Sequence, residues 1–200
     1  MVPMTPGKTG DGETVCYGEM HFDPFWSAVE ETGLPMCFHI GEAVGTPGPA
    51  PAVTEAMKQM GGGAGMFRRL FAELVFGGVF DRHPNLKVFF AEGGLHWIPG
   101  CLQDAELLYD AMAGLYDYQP KMRPSHYWFR HCGAGFMNDR VGLSHIDQFG
   151  AETAMWSADY GHNEGTYGYT RDSVKALFDT LDEDTAKLVV GGNAARMFGL

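Results

Sequence analysis

Short apolar runs alternate with longer stretches in which apolar positions recur at helical spacing. Residues 34–40, 86–91, 127–132 and 153–157 are the short runs and read as strands, the third less clearly than the rest. Residues 24–32, 66–80, 97–118, 139–148, 171–180, 183–190 and 194–198 read as helices. The first of these carries start and stop signals: Asp23 as cap, Pro24 at the first helical position and Gly33 beyond the end. Pro84 blocks continuation of the second, and Asn138 is placed to cap residues 139–148. Residues 41–65 read as a loop, because Pro47, Pro49, Pro51 and the run Gly61-Gly62-Gly63 break both periodicities. Residues 158–168 form a polar turn. Strand, loop and helix repeat about four times, which predicts an α/β fold with a parallel sheet in one domain over residues 1–200. Periodicity alone leaves open a small doubly wound sheet or half of an eight-fold barrel.

The ionisable residues at the strand ends add chemistry. His39 ends the first run, Glu92 follows the second, His131 and Cys132 end the third, and Asp159 follows the fourth. Ligands of parallel sheets bind at the carboxyl ends of strands, so these residues are expected at one mouth. Imidazole and carboxylate converging there suit a divalent cation, which would lower the pKa of a bound water. Each residue also has a structural reading. A lone histidine can be a hydrogen-bonded core residue, Glu92 can favour the next helix N-terminus, and Asp159 can cap the turn Tyr160-Gly161-His162. The joint pattern favours a site. Trp97 follows the Glu92 loop and is a candidate substrate contact, whereas Trp26, Phe67, Phe71, Phe76 and Phe80 fall at helical spacing and read as core. The glycine run lacks the G-K-[ST] ending of a phosphate loop, and no Gly-x-Ser-x-Gly elbow supports a serine hydrolase.

Composition narrows the partners. A formal net charge of -11 without a Lys/Arg cluster argues against nucleic acid and anionic membranes, leaving a small-molecule substrate. Cys16, Cys37, Cys101 and Cys132 are dispersed, with no C-x-x-C pair. That gives neither a zinc ribbon nor a disulfide framework and predicts a reducing, cytoplasmic setting. The first fourteen residues, rich in Pro, Gly and Thr, do not read as a signal peptide, and every apolar run is too short to span a bilayer.

Several motifs are specific in combination. They are Asp23-Pro24-Phe25-Trp26, Leu34-Pro35-Met36-Cys37-Phe38-His39-Ile40-Gly41 and Phe80-Asp81-Arg82-His83-Pro84-Asn85-Leu86-Lys87-Val88. They continue with Ala91-Glu92-Gly93-Gly94 before Trp97-Ile98-Pro99, then Met155-Trp156-Ser157-Ala158-Asp159-Tyr160-Gly161-His162, and Gly192-Asn193-Ala194-Ala195-Arg196-Met197-Phe198-Gly199-Leu200. In this order they resemble the amidohydrolase-related family, which includes aminocarboxymuconate-semialdehyde decarboxylase and aromatic-acid decarboxylases. The resemblance implies a (β/α)8 TIM barrel, of which the chain would cover about strands five to eight. It implies that His39 is the strand-five metal ligand and that Asp159 is the strand-eight aspartate, which ligates metal and takes a proton from water.

Three departures stand out. Glu92 occupies the end of strand six, where the decarboxylases carry histidine, and Gly161 stands where the family usually has proline, implying a more mobile loop. The family's first-strand H-x-H pair is absent from residues 1–200. Met1-Val2-Pro3 resembles the end of strand four, so the chain is expected to begin halfway round the barrel. The implied cofactor is a divalent metal, zinc first, at a site incomplete in this chain, with His39 and Asp159 as its protein ligands. The implied activity is hydrolysis of a small carboxylated or cyclic substrate by a metal-activated water, with Asp159 as base and Glu92 or His162 assisting. Non-oxidative decarboxylation and an inactive barrel fragment are the alternatives. Unpaired strand edges also make a second copy of the chain a candidate partner.

Overall fold

The structure, a computed structural model, describes residues 2–39, 52–115, 118–162 and 164–200. Helix α1 (Asp23–Thr32) leads into β1 (Met36–His39). Then α2 (Ala52–Phe76) and α3 (Val79–Arg82) lead to β2 (Val88–Ala91). Next, α4 (Ile98–Ala111) and α5 (Pro124–His131) lead to β3 (Cys132–Phe136). Short helices α6 (Arg140–Ser144) and α7 (Ile146–Phe149) precede β4 (Ala154–Trp156). Beyond it come α8 (Thr170–Thr180), α9 (Glu183–Lys187), a π-helical turn over Leu188–Gly192 and α10 (Asn193–Phe198).

The strands pair in chain order and all in parallel. A doubly wound sheet reverses its strand order at a switch point; this one does not. Helices α2, α5 and α8 gather on one face. The Phe90 ring of β2 lies 5.2 Å from Phe67 of α2, 5.4 Å from Trp97 and 5.8 Å from Trp128 of α5. Phe38, in register with Phe90, meets Tyr17 at 5.5 Å, and Trp156 donates its indole N–H to Ser173 of α8 at 3.0 Å. Side chains alternate along a strand, so Cys37, His39, Phe89, Ala91, Gly133, Gly135 and Met155 face the other way. The sheet is a section of barrel wall with these helices outside and α10 against its other face. At its β1 edge, Val2 pairs in parallel with Phe38, the position that the sequence assigns to the end of strand four.

The third strand differs from expectation. Residues 127–132 are the end of a helix, opened by Pro124 at its first turn and burying Tyr127, Trp128 and His131 on one side. The strand that follows, Cys-Gly-Ala-Gly-Phe, is buried throughout. Glycine hides it from propensity, and packing explains the glycines. A Cβ on Gly133 would lie 2.9 Å from Met155 Cε and 3.0 Å from Met197 Cε, and one on Gly135 would lie 2.9 Å from the Phe89 ring. Bare backbone here lets Phe89, Met155 and Met197 fill the inner face, where Phe198 also meets Phe89 at 5.6 Å. His131 and Cys132 therefore sit at the amino end of β3, away from the mouth.

Other local readings shift as well. Residues 52–65 belong to α2, so the loop expected over 41–65 is helical there; its proline-bearing start lies outside the described residues. Three glycines cost roughly 1 kcal/mol each relative to alanine, but Phe67, Leu70, Phe71, Leu74 and Val75 bury the C-terminal part of this helix. The helix expected over 97–118 ends at Ala111. Asp139, not Asn138, caps α6, and residues 139–148 hold two short helices. Asp23 is not the N-cap of α1: its carboxylate takes two hydrogen bonds from Arg82 Nε, at 2.9 and 3.0 Å. The Asp81-Arg82-His83-Pro84 motif is thus a fastener. Arg82 grips α1, while Asp81 accepts from Tyr118, Tyr127 and the Lys121 N–H at 2.5, 2.6 and 3.0 Å. Trp26, Phe67, Phe71 and Phe80 are buried as expected, with Phe76 partly so.

His131 gives a pH-dependent stability. Its Nδ1–H donates to Leu86 O at 2.8 Å, its Nε2 is buried without a partner, and its ring stacks on Phe80 at 4.3 Å. Burial pushes the imidazole down from 6.5 to about 4, against the hydrogen bond to Leu86. As pH falls through 6.5 the unfolded chain takes up a proton that the folded chain refuses. Stability should therefore fall by about 3 kcal/mol between pH 6.5 and 4 and then level off. Urea midpoints for wild type and His131→Phe across this window provide the check; parallel pH profiles would refute it.

Candidate functional site

Three strand ends bring four of the predicted residues together. His39 closes β1, Glu92 follows β2, and Asp159 and His162 lie in the turn after β4. Glu92 Oε2 is 3.0 Å from His39 Nε2, and Glu92 Oε1 is 3.1 Å from His162 Nδ1. The same His162 nitrogen lies 3.0 Å from Asp159 Oδ2. His39, Glu92, His162 and Asp159 thus form one continuous chain of acids and imidazoles. The Glu92 side chain is only 10% exposed. Burial raises its carboxyl above the ordinary carboxylate range; His39 opposes the rise, and the Asp159 carboxylate adds to it.

The backbone bends sharply at two of these positions. Glu92 has φ +64° and Asp159 has φ +47°, the only non-glycine residues with positive φ among those described. Each turn is locked from behind. A Cβ on Gly93 would stand 2.1 Å from the Phe67 ring, so the Glu92 turn lies flush against α2. The Asp159 turn closes through Thr166 N–H to Ala158 O at 2.8 Å and His162 N–H to Asp159 O at 3.3 Å. Gly161, where the resembling family usually carries proline, has φ +92°. Proline cannot reach that angle, so glycine here shapes the turn that carries His162.

Asp139 was not singled out by the sequence, because the third strand was placed too early and its carboxyl end was misread. Its buried carboxylate accepts from Leu95 N–H at 2.6 Å, His96 N–H at 2.8 Å and Gly142 N–H at 2.7 Å, with His96 Nδ1 at 3.1 Å. Burial opposes ionisation, but these hydrogen bonds outweigh it and hold the carboxyl below the usual range. Asp139 ties the segment after Glu92 to the loop after β3. Trp97 takes a different place from the one expected. It is 4% exposed, donates to Gly94 O at 3.0 Å and packs on Phe67, Phe90 and Trp128. It braces the helical layer and is not brought to the acid–imidazole chain.

The donors present fit a divalent cation. One atom each from Glu92, His162 and Glu164 lie within 4.8 Å of one another, and Asp159 Oδ2 is buried without an aligned hydrogen bond beside His162. Glu164 escaped the sequence reading because it follows the motif in an exposed polar turn, where an acid carries no distinguishing signal.

A family profile described as Amidohydrolase matches residues 9–200. The chain belongs to the amidohydrolase family. A 2-amino-3-carboxymuconate-6-semialdehyde decarboxylase of Dictyostelium discoideum is 29% identical over 130 residues, covering 64% of this chain and 35% of that protein. An amidohydrolase structure from Mycobacterium avium subsp. paratuberculosis K-10 superimposes with TM-score 0.76 at 18% identity, covering 94% of this chain and 48% of that one. A 5-carboxyvanillate decarboxylase from Novosphingobium aromaticivorans, solved with manganese and 4-hydroxy-3-methoxy-5-nitrobenzoic acid, gives TM-score 0.65 at 22% identity, over 97% and 55% of the two chains. This amidohydrolase chain spans about a third of the curated relative and about half of those solved chains. Its four-stranded wall is part of the family's barrel. No helix among the described residues is long and apolar enough to cross a membrane.

Proposed function

We propose that the chain contributes the half-site of a metal-dependent carboxy-lyase that releases CO2 from a small, planar aromatic or cyclic carboxylate. The observation that carries this reading is the unbroken His39–Glu92–His162–Asp159 chain at the strand ends. The sequence relative and the barrel relatives named as decarboxylases support it over hydrolysis. In this reading His39 and Asp159 would hold a divalent cation, which would supply Lewis-acid charge to the substrate. An oxygen-rich donor set with manganese-bound relatives favours manganese over the zinc expected from sequence. The carboxyl C–C bond breaks, its electron pair stays on the ring carbon, and CO2 leaves. Glu92, with His162 and Asp159 behind it, passes a proton to that carbon. The free thiols of all four cysteines support a cytoplasmic setting.

One feature favours the hydrolase reading as second choice. Glu92 stands where the decarboxylases of the resembling family carry histidine, and a carboxylate beside Asp159 is equally suited to activating water. Incubation of the manganese-loaded protein with carboxyl-labelled 2,6-dihydroxybenzoate and 5-carboxyvanillate decides between them. Labelled CO2 release that stops on chelation is expected. Cleavage of an aryl lactone or amide without CO2 from either acid would overturn decarboxylation and reinstate hydrolysis.

A further inference from the structure

We propose that the cleft between α6 and α8, on the helical side of the wall, is a second ligand site that takes a small hydroxycarboxylate. It is separate from the mouth and does not depend on the carboxy-lyase reading. The cleft holds about 300 Å3, at the lower end of the range for small-molecule sites. Phe136, Leu143 and Leu177 are buried and give it an apolar floor. Arg140 supplies the charge. It lines the cleft, and among the described residues it has no hydrogen-bonded or ion-paired partner. Arg68, Arg69, Arg82 and Arg123 each meet a carboxylate instead. The adjacent Asp139 carboxylate is engaged by the N–H groups of Leu95, His96 and Gly142 and does not pair with Arg140. In a chain of formal net charge -11, an arginine that faces a cleft without an acid is placed for an anion from outside.

A second observation is a shortage of protons at the cleft wall. Ser173 Oγ lies 3.1 Å from Met137 O and 3.0 Å from Asn138 Oδ1, while it accepts the Trp156 indole N–H at 3.0 Å. A hydroxyl carries one proton, so Ser173 serves one of these two acceptors and leaves the other short. All three residues line or floor the cleft except Met137 and Trp156's own neighbours in β4, and Asn138 is the exposed acceptor. A ligand hydroxyl would supply the missing proton while its carboxylate meets Arg140. The short carbon chain between them would lie over Leu143 and Leu177.

Titration of the metal-free, isotope-labelled protein with 3-hydroxybutyrate, followed by N–H correlation NMR, tests the site. The chain has four tryptophans, and the Trp156 indole signal is identified by its loss in Trp156→Phe. That signal is expected to move saturably and further than those of Trp26, Trp97 and Trp128. Arg140→Gln should weaken binding about 10–100-fold. Ala176→Phe, on the exposed lip of the cleft, should abolish it by filling the space. Arg171→Gln removes a cation of α8 that does not line the cleft and should bind within about threefold of wild type. Butyrate, which lacks the hydroxyl, should bind about fivefold more weakly. The backbone amide signals check that each variant is folded. Undiminished binding by Arg140→Gln or Ala176→Phe would overturn the site, as would an equal loss in Arg171→Gln or no binding by wild type. Equal affinity for butyrate would overturn the hydroxyl contact. None of these results bears on CO2 release at the mouth.

Discussion

Asp139→Ala is expected to remove about 3–5 kcal/mol of folding stability. The estimate follows from what the carboxylate holds. The N–H groups of Leu95, His96 and Gly142 converge on its two oxygens, and Leu95 and Gly142 are buried. Alanine leaves all three donors unmade, at roughly 1–3 kcal/mol for each buried one, and removes the cap of α6. Asparagine keeps one oxygen and should lose about half as much. Because hydrogen bonding holds Asp139 below the ordinary carboxylate range despite burial, its contribution is present above about pH 4. It is lost only as pH falls through the lowered value of the folded state. This window lies below that of His131, so the two are separable in one series of urea denaturation curves. An alanine variant within 1 kcal/mol of wild type at pH 7 would refute the role given to Asp139.

Glu92→Gln should leave the fold intact and lower kcat by about 10²–10⁴-fold, the usual range for loss of a proton-transferring group. Glutamine matches glutamate in volume and can still meet His39 and His162, but it cannot carry the proton. If Glu92 only positions its neighbours, the loss should stay below about tenfold and fall mainly on KM. Steady-state kinetics on the manganese-loaded protein, beside a thermal melt, separate these outcomes. Retention of full kcat would remove Glu92 from the chemistry.

Much of the fold was legible because apolar runs ending in a histidine or an acid are hard to produce by chance. β1, β2 and β4 fall within the predicted runs, and His39, Glu92, Asp159 and His162 meet as the spacing implied. The third strand is the main difference, and its cause is steric. Gly133 and Gly135 lower strand propensity locally, yet they leave room for Phe89, Met155 and Met197, which lie distant in sequence. A one-dimensional pattern cannot report a steric demand made by residues so far along the chain. A strand over residues 127–132 ends at Cys132, whereas the strand over Cys132–Phe136 brings its carboxyl end towards Asp139. Trp97 was misread for a related reason: following a site residue in sequence does not mean facing the site. Its indole turns back onto Gly94 and Phe90.

The left-handed backbone at Glu92 and Asp159 limits what these positions can become. Glycine fits such a conformation freely, aspartate, asparagine and histidine visit it more often than most residues, and β-branched side chains are nearly excluded. An exchange of glutamate for histidine at position 92 stays within what the bend accepts, whereas threonine or valine would first have to unbend the turn. Directed evolution of this mouth should therefore recover a narrow set of residues at 92 and 159 whatever substrate is selected for. Diversity should enter through Tyr160 and Tyr167, which are exposed and free of that backbone constraint.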